Sequence, residues 1–200
     1  MIEPVFLALA GGFAGLCVLG AAASVWSRAA AARRRREFEQ GTGGRYTEGL
    51  GERTLLLDRK GLSLTIRLRI GPENQLQETA AVSIPVSLSP QAEFYVGPRV
   101  RSLRPVYYEP IGKTSLPELS VELPWLGGME ARGEPEKAAA AVLSRVGSLD
   151  EFLKVSLTLK QLACTRSTLM MTFTRTGRFR PADLDALAGL CADLAFKLMG

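Results

Sequence analysis

Residues 62–70 read Leu-Ser-Leu-Thr-Ile-Arg-Leu-Arg-Ile. Leu62, Leu64, Ile66, Leu68 and Ile70 take every second place, with Ser63, Thr65, Arg67 and Arg69 between them. In a strand, period two sends the two sets to opposite faces, so the stretch predicts a strand with one face buried and one wet. Such one-sided polarity favours an antiparallel sheet, because parallel sheets are covered on both faces. Just upstream, Thr54 to Asp58 is a short apolar run, and Asp58-Arg59-Lys60-Gly61 supplies turn residues. The two segments therefore predict a hairpin.

Downstream, Val82, Ile84, Val86 and Leu88 alternate again, interrupted by Pro85. A missing N–H places such a strand at a sheet edge or at a bulge. Phe94 to Val96, Arg99 to Tyr108 and Leu119 to Leu123 add extended pieces, punctuated by prolines. A helix is expected from Glu134-Pro135-Glu136 to Gly147, with Ala138, Val142 and Val146 as its buried stripe. One further turn is expected at Leu149–Leu153, then a second hairpin from Val155–Lys160 and Leu169–Thr174. Pro181 opens a last helix, with Asp183 and Asp185 near its positive end. Leu184, Leu187, Leu190, Cys191, Leu194 and Leu198 form its apolar stripe.

Upstream of the sheet, Val5 to Trp26 is a run of 22 residues without a charge. As a helix it would span roughly 33 Å, enough to cross the hydrocarbon core of a bilayer. Val5, Phe6, Leu7, Phe13, Leu16, Val18, Leu19, Val25 and Trp26 are its lipid-facing candidates, with Trp26 at the interface. Arg28, Arg33, Arg34, Arg35 and Arg36 follow, whereas Met1 to Pro4 contain no basic residue. Positive charge beside a span is retained on the cytoplasmic side and can hold anionic headgroups. The expected topology has the N-terminus outside and the rest of the chain in the cytoplasm of a bacterium, at its inner membrane. A cleaved secretory signal fits less well, since it needs a basic segment before a shorter apolar run. Cys17 is no lipoprotein site either, because bulky Leu16 precedes it. Ala8, Gly11 and Gly15 have the small-residue spacing of a helix–helix contact, which makes a homodimer through this helix a candidate.

The chain has 25 Lys and Arg against 20 Asp and Glu, a net charge of +5. Residues 1–36 hold Glu3 against five arginines, a net of +4, which leaves only +1 for the remainder. The basic character belongs to the membrane flank, so nucleic-acid binding loses its compositional support. Histidine is absent, which removes His-dependent triads and His-ligated metal. Cys17, Cys164 and Cys191 form no CxxC pair, and buried thiols in a reducing compartment are expected. Gly112-Lys113-Thr114 looks like the end of a phosphate loop, but Tyr107 stands where the motif needs glycine. No catalytic, metal or cofactor residue is assigned. Arg99, Arg101 and Arg104, near Tyr107 and Tyr108, are a candidate patch for a partner, weighed against a charged edge strand.

The expected fold is therefore α+β: an N-terminal transmembrane helix, then a mainly antiparallel sheet covered by two helices, the last at the C-terminus. The divisions are residues 1–27 as anchor, 28–52 as basic segment and Gly-rich linker, and 53–200 as the folded domain. The order of anchor, arginine run, linker and helix-closed sheet resembles bacterial single-pass membrane-anchored α+β proteins of unknown function. Most of the likeness lies in Val142 to Leu198, with VLSRVGSLDEFLKV before a hairpin and a long last helix. The expected function is a non-catalytic protein-interaction or scaffolding module at the membrane. The alternative is a lipid- or small-ligand-binding domain with a pocket between sheet and helix.

Overall fold

The computed structural model describes residues 4–49, 52–70, 77–98, 116–121, 125, 128–165 and 167–200, with the backbone alone at 4–21, Ile70 and Leu153. Its elements are α1 (Pro4–Thr42), β1 (Arg45–Glu48), β2 (Glu52–Arg59), β3 (Leu62–Ile70), β4 (Gln77–Pro85) and β5 (Glu93–Gly97). They continue as β6 (Glu130–Glu134), α2 (Glu136–Ser144), α3 (Asp150–Lys154), β7 (Thr158–Thr165), β8 (Thr168–Thr176) and α4 (Pro181–Met199). The chain divides into two compact units, Met1–Glu37 and Phe38–Gly200. In the first, Val25 and Trp26 are 66% and 80% exposed. Among the described residues no helix is long and apolar enough to cross a membrane. Most of the Val5–Trp26 run has its side chains outside that description.

The second unit is built on one eight-stranded sheet in the order β1-β2-β3-β4-β8-β7-β5-β6. Every pairing of named strands is antiparallel. The first four strands form a meander, and the β7–β8 hairpin inserts between β4 and β5. The expected β2–β3 hairpin closes in a two-residue turn: Arg59 faces Leu62, and Lys60 and Gly61 both have positive φ, 53° and 79°. Registers align one row of apolar residues across the buried face, Leu55, Ile66, Val82, Met171, Leu162, Val96 and Ala131. All seven are buried. A one-residue slip in any strand would turn its share of this row to water.

Helices cover that face only. Ala139, Val142 and Leu143 of α2, Phe152 of α3, and Leu184, Leu187, Cys191, Leu194 and Leu198 of α4 join one core with the row. Within α2 the buried stripe is therefore Ala139, Val142 and Leu143 rather than one beginning at Ala138. The helix also starts later than expected, because Glu134 is taken by β6, which pairs with β5. Gly133 makes that packing possible: a Cβ there would lie 2.6 Å from the Ala139 Cβ. The third, short helix α3 occupies the turn expected at Leu149–Leu153.

Three expectations are corrected. Pro85 ends a central strand, not an edge strand. The β3–β4 ladder stops at Thr65 and Ser83, so the missing N–H falls where β4 has already left β3. The strand expected from Val155 starts at Thr158. Finally, much of residues 40–52, expected as a linker, is built into the folded unit. Phe38 and Thr42 at the end of α1 are buried, and β1 pairs with β2. Gly43, at φ +67°, ends the helix by donating its N–H to the Glu39 carbonyl at 2.8 Å.

On β1, the Tyr46 N–H donates to Glu39 Oε1 at 3.2 Å. The β6 edge is covered by the chain near Leu119: Leu119 N–H donates to Ala131 O and Gly133 N–H to Pro117 O, both at 2.9 Å. Covering an edge in this way leaves less backbone free to template aggregation.

Two glycines of the expected linker, Gly41 and Gly44, are packing glycines. A Cβ on Gly41 would sit 2.5 Å from the Pro181 Cβ, and one on Gly44 would sit 2.6 Å from the Leu56 carbonyl. Gly41→Val and Gly44→Val are each expected to destabilise the protein by about 1–3 kcal/mol through overpacking. Thermal melts of the full chain in detergent test this. A linker would tolerate both changes, so unaltered melting would refute the packing.

Candidate functional site

Two groups of side chains stand apart from the ordinary core. The first is a buried ion pair at the end of the sheet where α1 finishes and α4 begins. Glu78 on β4 is 1% exposed, and its Oε1 pairs with the Arg53 guanidinium of β2. Its Oε2 accepts the Phe179 backbone N–H at 2.6 Å. The Arg53 guanidinium also lies 5.7 Å from the centre of the Phe38 ring, which stacks on Tyr46 at 4.8 Å. One carboxylate thus joins β2, β4, the end of α1 and the approach to α4. Beside it, Asp183 pairs with Arg175 and accepts the Arg180 N–H at 2.8 Å, capping α4. Both carboxylate oxygens of Glu78 are engaged and shielded from water. The arrangement is a clamp, with no room for a substrate.

Glu78 and Arg53 carried a signal in the sequence. Each lies two residues before the buried alternation of its strand, Glu78 before Ala80 and Arg53 before Leu55. A charged residue in phase with a buried face needs a partner, and these two are partners for each other.

The second group lines an apolar cleft of about 450 Å³ where α3 leads into β7. Trp125, Met129, Leu149, Phe152, Leu157 and Leu159 supply its apolar surface. Phe152 is held by stacking on Phe173 of β8, with centroids 4.9 Å apart. Lys160 also lines the cleft, and a bulge in β7 explains why. Leu159 faces Phe173 and Gln161 faces the next residue, Thr172, so Lys160 is the extra residue without an opposite number on β8. Trp125 Nε1 is buried and has no hydrogen-bond partner among the described residues. A separate, wider groove of about 870 Å³ is acidic: Glu93 and Glu134, which face each other across β5 and β6, both line it.

No family model, no curated protein and no solved structure matches the chain.

The residues expected from the sequence fall elsewhere. Val5, Phe6, Leu7, Ala8, Gly11, Phe13, Gly15, Leu16, Val18 and Leu19 lie on the helical backbone of α1, with side chains outside the description. Arg28 and Arg33 to Arg36 are exposed on the same helix. Arg99, Arg101 and Arg104 lie outside the described residues. Asp183 caps α4, whereas Asp185 pairs with Arg59 and Asp193 with Lys60 on the β2–β3 turn. Among the described residues no group of Cys, Asp and Glu is placed to hold a metal.

Cys164 and Cys191 are free and buried. Burial, with a smaller contribution from the nearby Glu93 charge, pushes the Cys164 thiol up to about 11. Burial alone pushes Cys191 well above its ordinary value of 9.0. Only the thiolate is a competent nucleophile, so both should resist maleimide at pH 8 in the folded protein and react after unfolding. Mass shifts count the modified thiols, and rapid native labelling of either would contradict their burial. Because the folded state holds these protons more tightly, the thiols' contribution to stability should be fully present below about pH 9 and lost as pH rises towards about 11.

Proposed function

We propose that the chain is a single-pass membrane-tethered protein whose α+β domain serves as a non-catalytic protein-interaction or scaffolding module. The supporting observation is the sheet's second face. Helices cover one face, while the other carries Arg67 and Arg69, 59% and 63% exposed, beside Leu56, 44% exposed. Cross-strand rows of Thr79 with Thr174, Ala81 with Thr172 and Ser83 with Met170 lie between. The short side chains of these central rows form a part of the surface that a partner can cover at little cost in side-chain entropy, with Arg67 and Arg69 at its side to supply charge.

The tether rests on Val5–Trp26, the exposed Val25 and Trp26, and the arginine flank. The domain lies on the cytoplasmic side in this reading, and its two buried free thiols accord with a reducing compartment. The chain should stay in the membrane pellet after alkaline extraction, and protease added to intact cells should spare Phe38–Gly200. Release by alkali, or digestion from outside, would overturn the topology. In-cell crosslinking should yield a defined adduct that Arg67→Glu with Thr172→Glu abolishes. An adduct unaffected by those changes would remove the sheet face from the proposal.

The cleft at α3 and β7 favours a second reading, in which the domain holds an apolar ligand at the membrane surface. Its volume and lining suit one. This cleft lies at α3 and β7, whereas the expected pocket was placed between the sheet and the last helix, where Leu184, Leu187, Ala188, Cys191, Ala195 and Leu198 are buried.

A further inference from the structure

Resting on this second reading, we propose that the α3–β7 cleft binds a free fatty acid, with Lys160 facing its carboxylate. Two observations carry this. Leu149, Phe152 and Leu159 supply an apolar wall, and Phe152 is fixed from behind by Phe173, so the wall is formed before any ligand arrives. Lys160 is the single charged group among the described lining residues, which makes the complementary head anionic. A bulge places it there, in a strand whose regular alternation would give that position a partner on β8. Trp125 lines the same cleft and packs against the core, so it reports on what enters. An apolar tail with one anionic head meets both conditions. An uncharged apolar ligand would leave Lys160 without a counter-charge.

The chain has two tryptophans, Trp26 and Trp125, which gives a direct optical test. In the Trp26→Phe protein, reconstituted whole in nanodiscs, Trp125 is the sole tryptophan. Titration with a bromine-substituted medium-chain carboxylic acid should quench its emission saturably. The corresponding bromo-alcohol should quench at least tenfold more weakly. Lys160→Gln should weaken the acid by roughly tenfold, the effect of losing one charge-assisted contact, and leave the alcohol unchanged. Leu149→Glu, which adds a like charge to the wall, should abolish acid binding while circular dichroism and melting report a folded domain. Equal quenching by acid and alcohol, insensitive to Lys160→Gln, overturns the fatty-acid assignment while the ligand cleft stands. No saturable quenching by either compound overturns both.

Discussion

Arg53→Met is expected to destabilise the Phe38–Gly200 unit by about 3–5 kcal/mol, the usual cost of removing one partner from a buried pair. The reason lies in what is left behind. Glu78 stays 1% exposed with a charge, and its one remaining partner is the Phe179 N–H. Methionine can retain the contact with the Phe38 ring, so little of the loss comes from packing. Arg53→Met combined with Glu78→Leu removes both charges and leaves only the Phe179 N–H unpaired. The double variant should therefore be more stable than the Arg53→Met single, because an unpaired amide costs about 1–3 kcal/mol. Urea or thermal unfolding of the full chain in detergent measures both. A single variant within 1 kcal/mol of the parent, or a double variant less stable than the single, would mean that the pair is not the clamp described.

The second large effect is expected at Phe173, in the middle of β8 and fully buried. It faces Ala80 on β4 and Leu159 on β7, and its ring stacks on Phe152. Phe173→Ala empties the space that four elements share, since strands fixed by their ladders cannot collapse into it. The expected loss is about 3–5 kcal/mol, the range for large aromatic truncations in cores. For a unit of this size that lowers the melting temperature by on the order of 10 °C. Phe173→Leu keeps most of the volume and should cost much less. The alanine variant should also loosen the fatty-acid cleft, because Phe152 loses the ring behind it. Equal melting temperatures for the leucine and alanine variants would argue against a cavity as the cause.

The two clusters differ in how they relate to the end of α1. The ion pair sits where the end of α1 enters the folded unit through Phe38, whose ring lies against Arg53. Loss of Arg53 should therefore be felt at the base of α1 and leave the cleft unchanged. Lys160 lies on β7 and the clamp on β2 and β4, so Lys160→Gln should leave stability nearly intact. Comparing unfolding with Trp125 quenching across these variants separates a fold defect from a binding defect.

By itself the sequence determined the strongly periodic segments, such as β3 and α4, and which faces they bury, but not β1, expected as linker, or β6. Leu64, Ile66 and Leu68 on β3 and Leu184, Leu187, Cys191 and Leu194 on α4 are buried as their periods require. Periodicity is a local property, fixed by strand pleat and helix pitch, so a local reading recovers it. The tertiary structure alone decided what pairs with what. The insertion of the β7–β8 hairpin between β4 and β5, and the pairing of Glu78 with Arg53, depend on residues far apart in the chain. Backbone hydrogen bonds are the same for any strand, so strand order rests on the fit of whole buried faces, and no short stretch encodes it. The glycines at 41 and 44 show the same division. Composition reads them as freedom, but Pro181 and the Leu56 carbonyl, brought close only by folding, make them the residues with no side chain to clash.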